Sequence, residues 1–368
     1  MEAAGAILLA ITNVPEACYW VETSNGIYGQ TKNPYDLRRS VGGSSGGEGA
    51  LISSAGSVIG IGSDIGGSIR IPAFMNGIFG MINTPGVISQ DGHVIVAKGY
   101  QKKMLRIGPM CRYVEDIPLL VEVMGGDQVV SLNLRDAVDF GKIRLFYMEG
   151  IQNTFTIETL SDDMRSSLMK AVAHFEQKYD VEGIRIDLPL MSKAVEMLFV
   201  SMQIEGEPKC SQYLKSLKAD KGSLNWFSEL PKFLTGRSVH TLGALFISFF
   251  ESVDNRTKNE KTELLRLRNR LTRQIEEILG DNGILLFPSW PHTAPYHHHN
   301  VFTPFDVAYT SVFSALALPV IQCPMGLNAN GLPLGIQIIG TPNSDRLLIA
   351  AAKEISDRFG GWIQASGR

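Results

Sequence analysis

From Val307 to Ser344 the chain carries no charged residue, and this run limits the fold more than any other feature. An uncharged stretch of that length belongs in an interior. Pro319, Pro324, Pro333 and several glycines interrupt it, which is incompatible with one continuous membrane helix. Buried strands and turns fit instead. "GILLFPS" just before it and "LPLGIQIIG" within it read as strands, and "LLIAAAKEISDRFG" after it reads as a closing helix.

The rest of the chain surrounds such a core with α/β patterning. "GAILLAI" reads as a buried strand, "GGEGALISSAG" as a short helix, "SVIGIG" as a buried strand and "SDIGGS" as the loop leaving it. "IRIPAFMNGIFG" opens a second helix, with Pro72 tolerable only in its first turn. Residues 162–179 and 190–203 are amphipathic. In 258–280, Leu264, Leu267, Leu271, Ile275 and Ile278 recur at helical spacing, and Gly280 stands where a C-terminal cap belongs. The expected organisation is a single α/β domain over 1–368, with a helical insertion at 150–280.

Charge and cysteine usage exclude several functions. With 34 Lys+Arg against 37 Asp+Glu, no basic excess points to nucleic acid. Cys18, Cys111, Cys210 and Cys323 form no C-x-x-C pair, so free thiols in a reducing compartment are expected, and no disulfide framework or zinc site. The first residues lack the basic flank of a signal peptide, and "TLGALFISFF" is too short to cross a bilayer.

The chemistry concentrates in "GGSSGGEGALISSAGSVIGIGSDIGGSIRIP", Gly42 to Pro72. A P-loop would need lysine where Ser68 follows Gly67, and a dinucleotide fingerprint would need glycine at Ile65, so phosphate binding fails twice. Close packing explains some glycines but not the serines. Acyl transfer explains both: Ser68 at a strand-to-helix turn faces a carbonyl, and the N–H groups of Ile65, Gly66, Gly67 and Ser68 converge on the developing oxyanion.

These two glycine-serine clusters, at the separation seen here, resemble the amidase signature family. "TKNPYDLRRSVGGSSGG", "GPMCRYVEDIPLLVEVMGG", "GILLFPSWPHTAP" and the charge-free run extend the resemblance over nearly the whole chain, toward the branch that hydrolyses lipid amides. The resemblance implies a mixed central β-sheet covered by helices on both faces. It makes Ser68 the acyl-ester nucleophile and Ser44, after a cis Gly43–Ser44 bond, the bridging serine. Asp64 and Arg70 support the loop. The implied reaction is hydrolysis of fatty-acid primary amides or N-acyl ethanolamines, without cofactor or metal. A small lipid amide is the expected partner, with peripheral contact to intracellular membranes and a homodimer left open; a cytoplasmic location fits equally.

Two departures qualify the expected activity. The family's catalytic lysine lies in a P-x-x-x-K segment well ahead of the bridging serine, whereas only Lys32 precedes Ser44, in "GQTKNPYD", which matches another part of the family. The chain therefore reads as beginning in mid-domain, with low activity, or as a non-catalytic binder of lipid amides or of an intact paralogue. An amidase of glutamine-type specificity is the other alternative. In "GMINTPG", Ile82 and Asn83 replace the family's usual Lys-Pro, a change read as structural. Lys98, Lys102 and Lys103 read as solvated, His297–His299 as a surface loop, and Cys323 as a buried inert thiol. Phe246, Phe249 and Phe250 with Met197, Phe199 and Met202 fit either core packing or an acyl channel.

Overall fold

The charge-free run folds as one buried helix and two strands at the centre of the molecule, in a computed structural model that describes residues 1–366 apart from 95, 153, 204–206 and 218–220. The main sheet has eight strands: β1 (Ile59–Asp64), β2 (Phe79–Ile82), β3 (Arg106–Cys111), β4 (Arg144–Tyr147), β5 (Gly183–Arg185), β6 (Gly283–Pro288), β7 (Val320–Leu327) and β8 (Pro333–Ile339). Their spatial order is β1-β3-β2-β7-β8-β6-β4-β5. Neighbours are antiparallel from β1 across to β6, and β6, β4 and β5 run parallel.

Twelve α-helices are found among the described residues. The first six are α1 (Gly46–Ser53), α2 (Arg70–Met75), α3 (Gln101–Met104), α4 (Asp116–Gly125), α5 (Asp162–Tyr179) and α6 (Ala194–Met202). The rest are α7 (Cys210–Ser216), α8 (Trp226–Leu234), α9 (Leu242–Val253), α10 (Lys258–Leu279), α11 (Ala308–Ala315) and α12 (Asp345–Phe359). The 150–280 stretch supplies α5 to α10 and also strand β5.

β7 and β8 are covered on both faces, which is why their sequences show no alternation of polar and apolar residues. The turn between them is set by Asn328, whose side-chain oxygen accepts from the amides of Asn330 and Leu332. Register then sorts the two faces. Gly80, Gln322, Gln337 and Phe287 lie in one cross-strand row, toward α2 and α11; Met81, Ile321, Ile338 and Leu286 form the next, toward α5 and α12. Gly80 lets α2 lie close against the sheet: a Cβ there would stand 2.8 Å from both Ala73 Cβ and Ile69 Cγ2.

Most expected elements form, including α5, α10 with its Gly280 cap, and α12. Three differ. Residues 5–11 make no strand, because no neighbouring strand among the described residues offers them a ladder; Ile7 and Ile11 are 84% and 95% exposed. Among the described residues β1 has β3 as its one neighbour, and Val58 and Ile61 are exposed where burial was expected. Residues 190–203 divide into a 3-10 turn at Pro189–Lys193 and then α6. No described helix is long and apolar enough to cross a membrane.

Gly80→Ala should overpack the contact between α2 and β2 and lower stability by about 1–3 kcal/mol in urea unfolding. Gly141→Ala, whose nearest neighbour would be 3.4 Å away, should change it far less.

Candidate active site

β1 ends at Asp64 and α2 begins at Arg70, and the side chains of these two residues close the loop between them. Both are fully buried. Arg70 Nε donates to Asp64 Oδ2 and Nη2 to Asp64 Oδ1, each at 3.1 Å. The other guanidinium hydrogens reach the Thr310 carbonyl at 2.8 Å, Gln337 Oε1 at 2.9 Å and Ser314 Oγ at 2.7 Å. Every N–H of the arginine thus has an acceptor, the condition under which a buried charge is tolerated. Burial by itself would raise the Asp64 carboxyl. The adjacent Arg70 charge and hydrogen bonds, with the Ile69 and Gly67 amides, hold it below its ordinary value.

That anchor shapes the backbone above it. Gly67 adopts φ +133°, and a Cβ there would collide with Thr310 Oγ1, so only glycine fits. Gly67 N donates to Asp64 Oδ1 at 2.7 Å, and Thr310 Oγ1 donates to the Gly66 carbonyl at 2.8 Å. This corrects one expectation: the Gly67 amide is engaged by Asp64 and is not free for an oxyanion. The amides of Ile65, Gly66 and Ser68 make no hydrogen bond within the described residues. Leu198 of α6 and Ser311 of α11 stand over Gly66, and the buried Ser311 hydroxyl has no partner among the described residues.

The second glycine-serine cluster meets the first. Ser45 N donates to the Ser68 carbonyl at 3.1 Å, so the residue after Ser44 touches the backbone of Ser68. The Gly43–Ser44 peptide is cis. A Cβ on Gly43 would lie 2.7 Å from the Trp20 carbonyl, and Thr23 Oγ1 holds the Gly42 carbonyl at 2.8 Å. Ser44 is buried and Ser68 half-buried. Cys18 lies near Ser44 and is exposed.

Other residues fall as follows. No lysine among the described residues is buried, and Lys32, Lys98, Lys102 and Lys103 are exposed. Asn83 Nδ2 donates to the buried Asp345 Oδ1 at 3.1 Å, which gives this family-atypical position a structural task. Cys323 is buried and its thiol is raised well above the ordinary value by burial. A cleft of about 530 Å³ is lined in part by Phe199, Phe250 and Phe305. Met197 is core, and Phe246 stacks on Trp20 at 5.7 Å, so the aromatic segment serves both packing and cleft.

Sequence reading did not single out Thr310, Ser314, Gln337 or Cys18 as site residues. Thr310 and Ser314, four apart on one helix face, were polar exceptions inside an apolar run. That signal was available, but it points to a buried polar partner only once Arg70 is placed there. For Cys18 no sequence signal separates it from an ordinary thiol.

Arg70→Met should leave Asp64 buried and unpaired, lowering stability by about 3–5 kcal/mol. The stabilisation from Asp64, whose carboxyl is depressed in the fold, is present above its unfolded value and lost as pH falls through the folded one. The difference in unfolding free energy between the parent chain and Asp64→Asn should therefore stay level down to about pH 5 and narrow in stronger acid.

Comparison with known proteins agrees with this architecture. A family model described as Amidase matches residues 1–349. Fatty-acid amide hydrolase 2 from Homo sapiens is 42% identical over 366 residues, covering 99% of this chain and 69% of that protein. Among solved structures, 6-aminohexanoate cyclic dimer hydrolase superposes with a TM-score of 0.76 at 20% identity, over 98% of this chain and 76% of its own. A bacterial aryl acylamidase of the amidase signature enzymes does so at 0.68 and 22%, over 98% and 74%. With family model, relative and fold in agreement, this chain belongs to the amidase signature family of amide-hydrolysing enzymes.

Proposed function

We propose that the chain acts on fatty-acid amides through an acyl-enzyme on Ser68, with Ser44 as the bridging serine. The observation that carries this reading is the hydrogen bond from Ser45 N to the Ser68 carbonyl, which joins the two clusters beside a row of unengaged amides. Ser68 Oγ attacks the amide carbon. The negative charge that develops on the carbonyl oxygen is met by the N–H groups of Ile65, Gly66 and Ser68. Ser44 takes the Ser68 proton and passes it to the departing nitrogen, so the C–N bond breaks as the ester forms. Water then hydrolyses the ester to the free acid.

The lipid preference rests on two supports: the likeness to fatty-acid amide hydrolase 2 and the aromatic cleft. Leu198 over Gly66 is followed directly by Phe199 in the cleft wall, so α6 links the reacting centre to an apolar surface. A lysine base must be desolvated to be neutral, and no described lysine is buried. These 368 residues by themselves should therefore turn over slowly. The same observation favours a second reading, in which the chain binds lipid amides without hydrolysing them.

Intact-mass analysis after exposure to a long-chain alkyl fluorophosphonate tests the nucleophile. One adduct should form on the parent chain and none on Ser68→Ala, and an adduct that persists in that variant defeats the assignment. Ser44→Ala should slow labelling by a further factor of about 10². Hydrolysis of a long-chain primary amide should exceed that of glutamine; equal rates would reject the lipid preference. Binding of the long-chain amide with neither hydrolysis nor labelling would establish the second reading.

A further inference from the structure

The run Tyr296–Asn300, "YHHHN", sends its three histidines to different places. His297 is held on both ring nitrogens, Nδ1 by Glu22 Oε1 at 2.7 Å and Nε2 by the Leu37 carbonyl at 3.1 Å. His298 occupies the left-handed region at φ +65° and is exposed. Only His299 turns into a cluster with Glu158 and His292, where one ligand atom from each lies within 4.8 Å of the others. Their rings also meet edge to face, with the His292 and His299 centroids 5.8 Å apart.

The cluster has the chemistry of a cation site. His292 Nδ1 lies 2.8 Å from the Thr293 carbonyl, which can only accept, so Nδ1 carries the hydrogen. The neutral ring therefore presents the Nε2 lone pair. That lone pair faces two carboxylates, Glu158 Oε2 at 2.7 Å and Asp306 Oδ2 at 3.9 Å. None of these three atoms makes a properly directed hydrogen bond among the described residues. Asp306 is fully buried, and its Oδ2 is aimed into the cluster while Oδ1 accepts from Glu158 N at 2.8 Å. Two carboxylate oxygens converging on one ring nitrogen call for positive charge, which a proton on Nε2 or a cation in its place supplies.

We propose that Glu158, His292, His299 and Asp306 bind one divalent transition-metal ion of the zinc class. Two imidazoles and two carboxylates are a zinc-compatible donor set, and tetrahedral bonds of about 2.0–2.1 Å place ligand atoms roughly 3.3 Å apart. Glu158, His292 and His299 offer ligand atoms within 4.8 Å of one another, and Asp306 Oδ2 lies 3.9 Å from His292 Nε2. The supporting contacts are already in place: Thr293 orients His292, the Glu158 amide orients Asp306, and Tyr309 Oη donates to the Glu158 carbonyl at 3.2 Å. An ion here would tie the Thr156–Ile157 wall of the cleft to the segment entering α11.

The test uses the untagged chain, stripped with a chelator and titrated with cobalt(II) as a spectroscopic substitute for zinc. One cobalt per chain should bind with the visible absorption of tetrahedral coordination, zinc should displace it, and zinc should raise the melting temperature. Glu158→Gln and His299→Gln should each weaken binding about tenfold or more, and His298→Gln should leave it unchanged. Two separate variants, each checked for a cooperative melt without metal, keep misfolding from imitating the result. Binding that is unaffected by both variants, absent altogether, lost equally in His298→Gln, or marked by cobalt–thiolate charge transfer would overturn the assignment.

Discussion

A fully buried carboxylate and guanidinium, Asp64 and Arg70, govern the geometry of the loop on which the proposed chemistry depends. Neither charge would survive burial alone, because the loss of hydration costs several kcal/mol per ion. The pair is tolerated because the surrounding protein completes it: Thr310, Ser314 and Gln337 take the hydrogens that Asp64 does not. In return, Asp64 fixes the amides of Gly67 and Ile69. The loop cannot relax without leaving a charge unpaired, and the amides of Ile65, Gly66 and Ser68 keep no hydrogen bond among the described residues.

This explains a feature of the charge-free run that hydrophobicity does not. The run lacks charge, yet its buried Thr310, Ser314 and Gln337 are the acceptors a single buried arginine needs once its one carboxylate is engaged. A second acid there would unbalance the pair, and an apolar residue would orphan an N–H. Gln337 sits on β8 with Gln322 opposite it on β7, so the sheet register itself delivers the acceptor to the helix face carrying Arg70. Sheet, α2 and α11 are therefore one polar unit inside an apolar core.

The segment entering α11 is organised by a second polar cluster, around Glu158, His292 and Asp306. Asp306 lies two residues before α11 and Thr310 is its third residue, so the same short helix joins the two clusters. The aromatic cleft adjoins this end, with Phe305 next to Asp306 in its wall. Positioning of the cleft and of the loop above Arg70 thus converges on eight residues of helix.

The amino-acid sequence alone determined the elements whose signal is local: α5 and α10 through apolar periodicity, β6 and β8 through short uncharged runs, and the loop from Asp64 to Arg70 through its glycines. It also placed Ser44 and Ser68 in motifs whose separation carries family identity. Tertiary structure decided what depends on neighbours. Among the described residues, 5–11 have strand-like composition but no ladder to join, and β1 has one neighbour. The Gly67 amide looked available until Asp64 turned back to take it. Three adjacent histidines became separable only when Glu22 claimed one and Glu158 faced another. In each case the reason is the same: hydrogen-bond partners and sheet order are set by residues distant in sequence, and no local pattern encodes which of them will arrive.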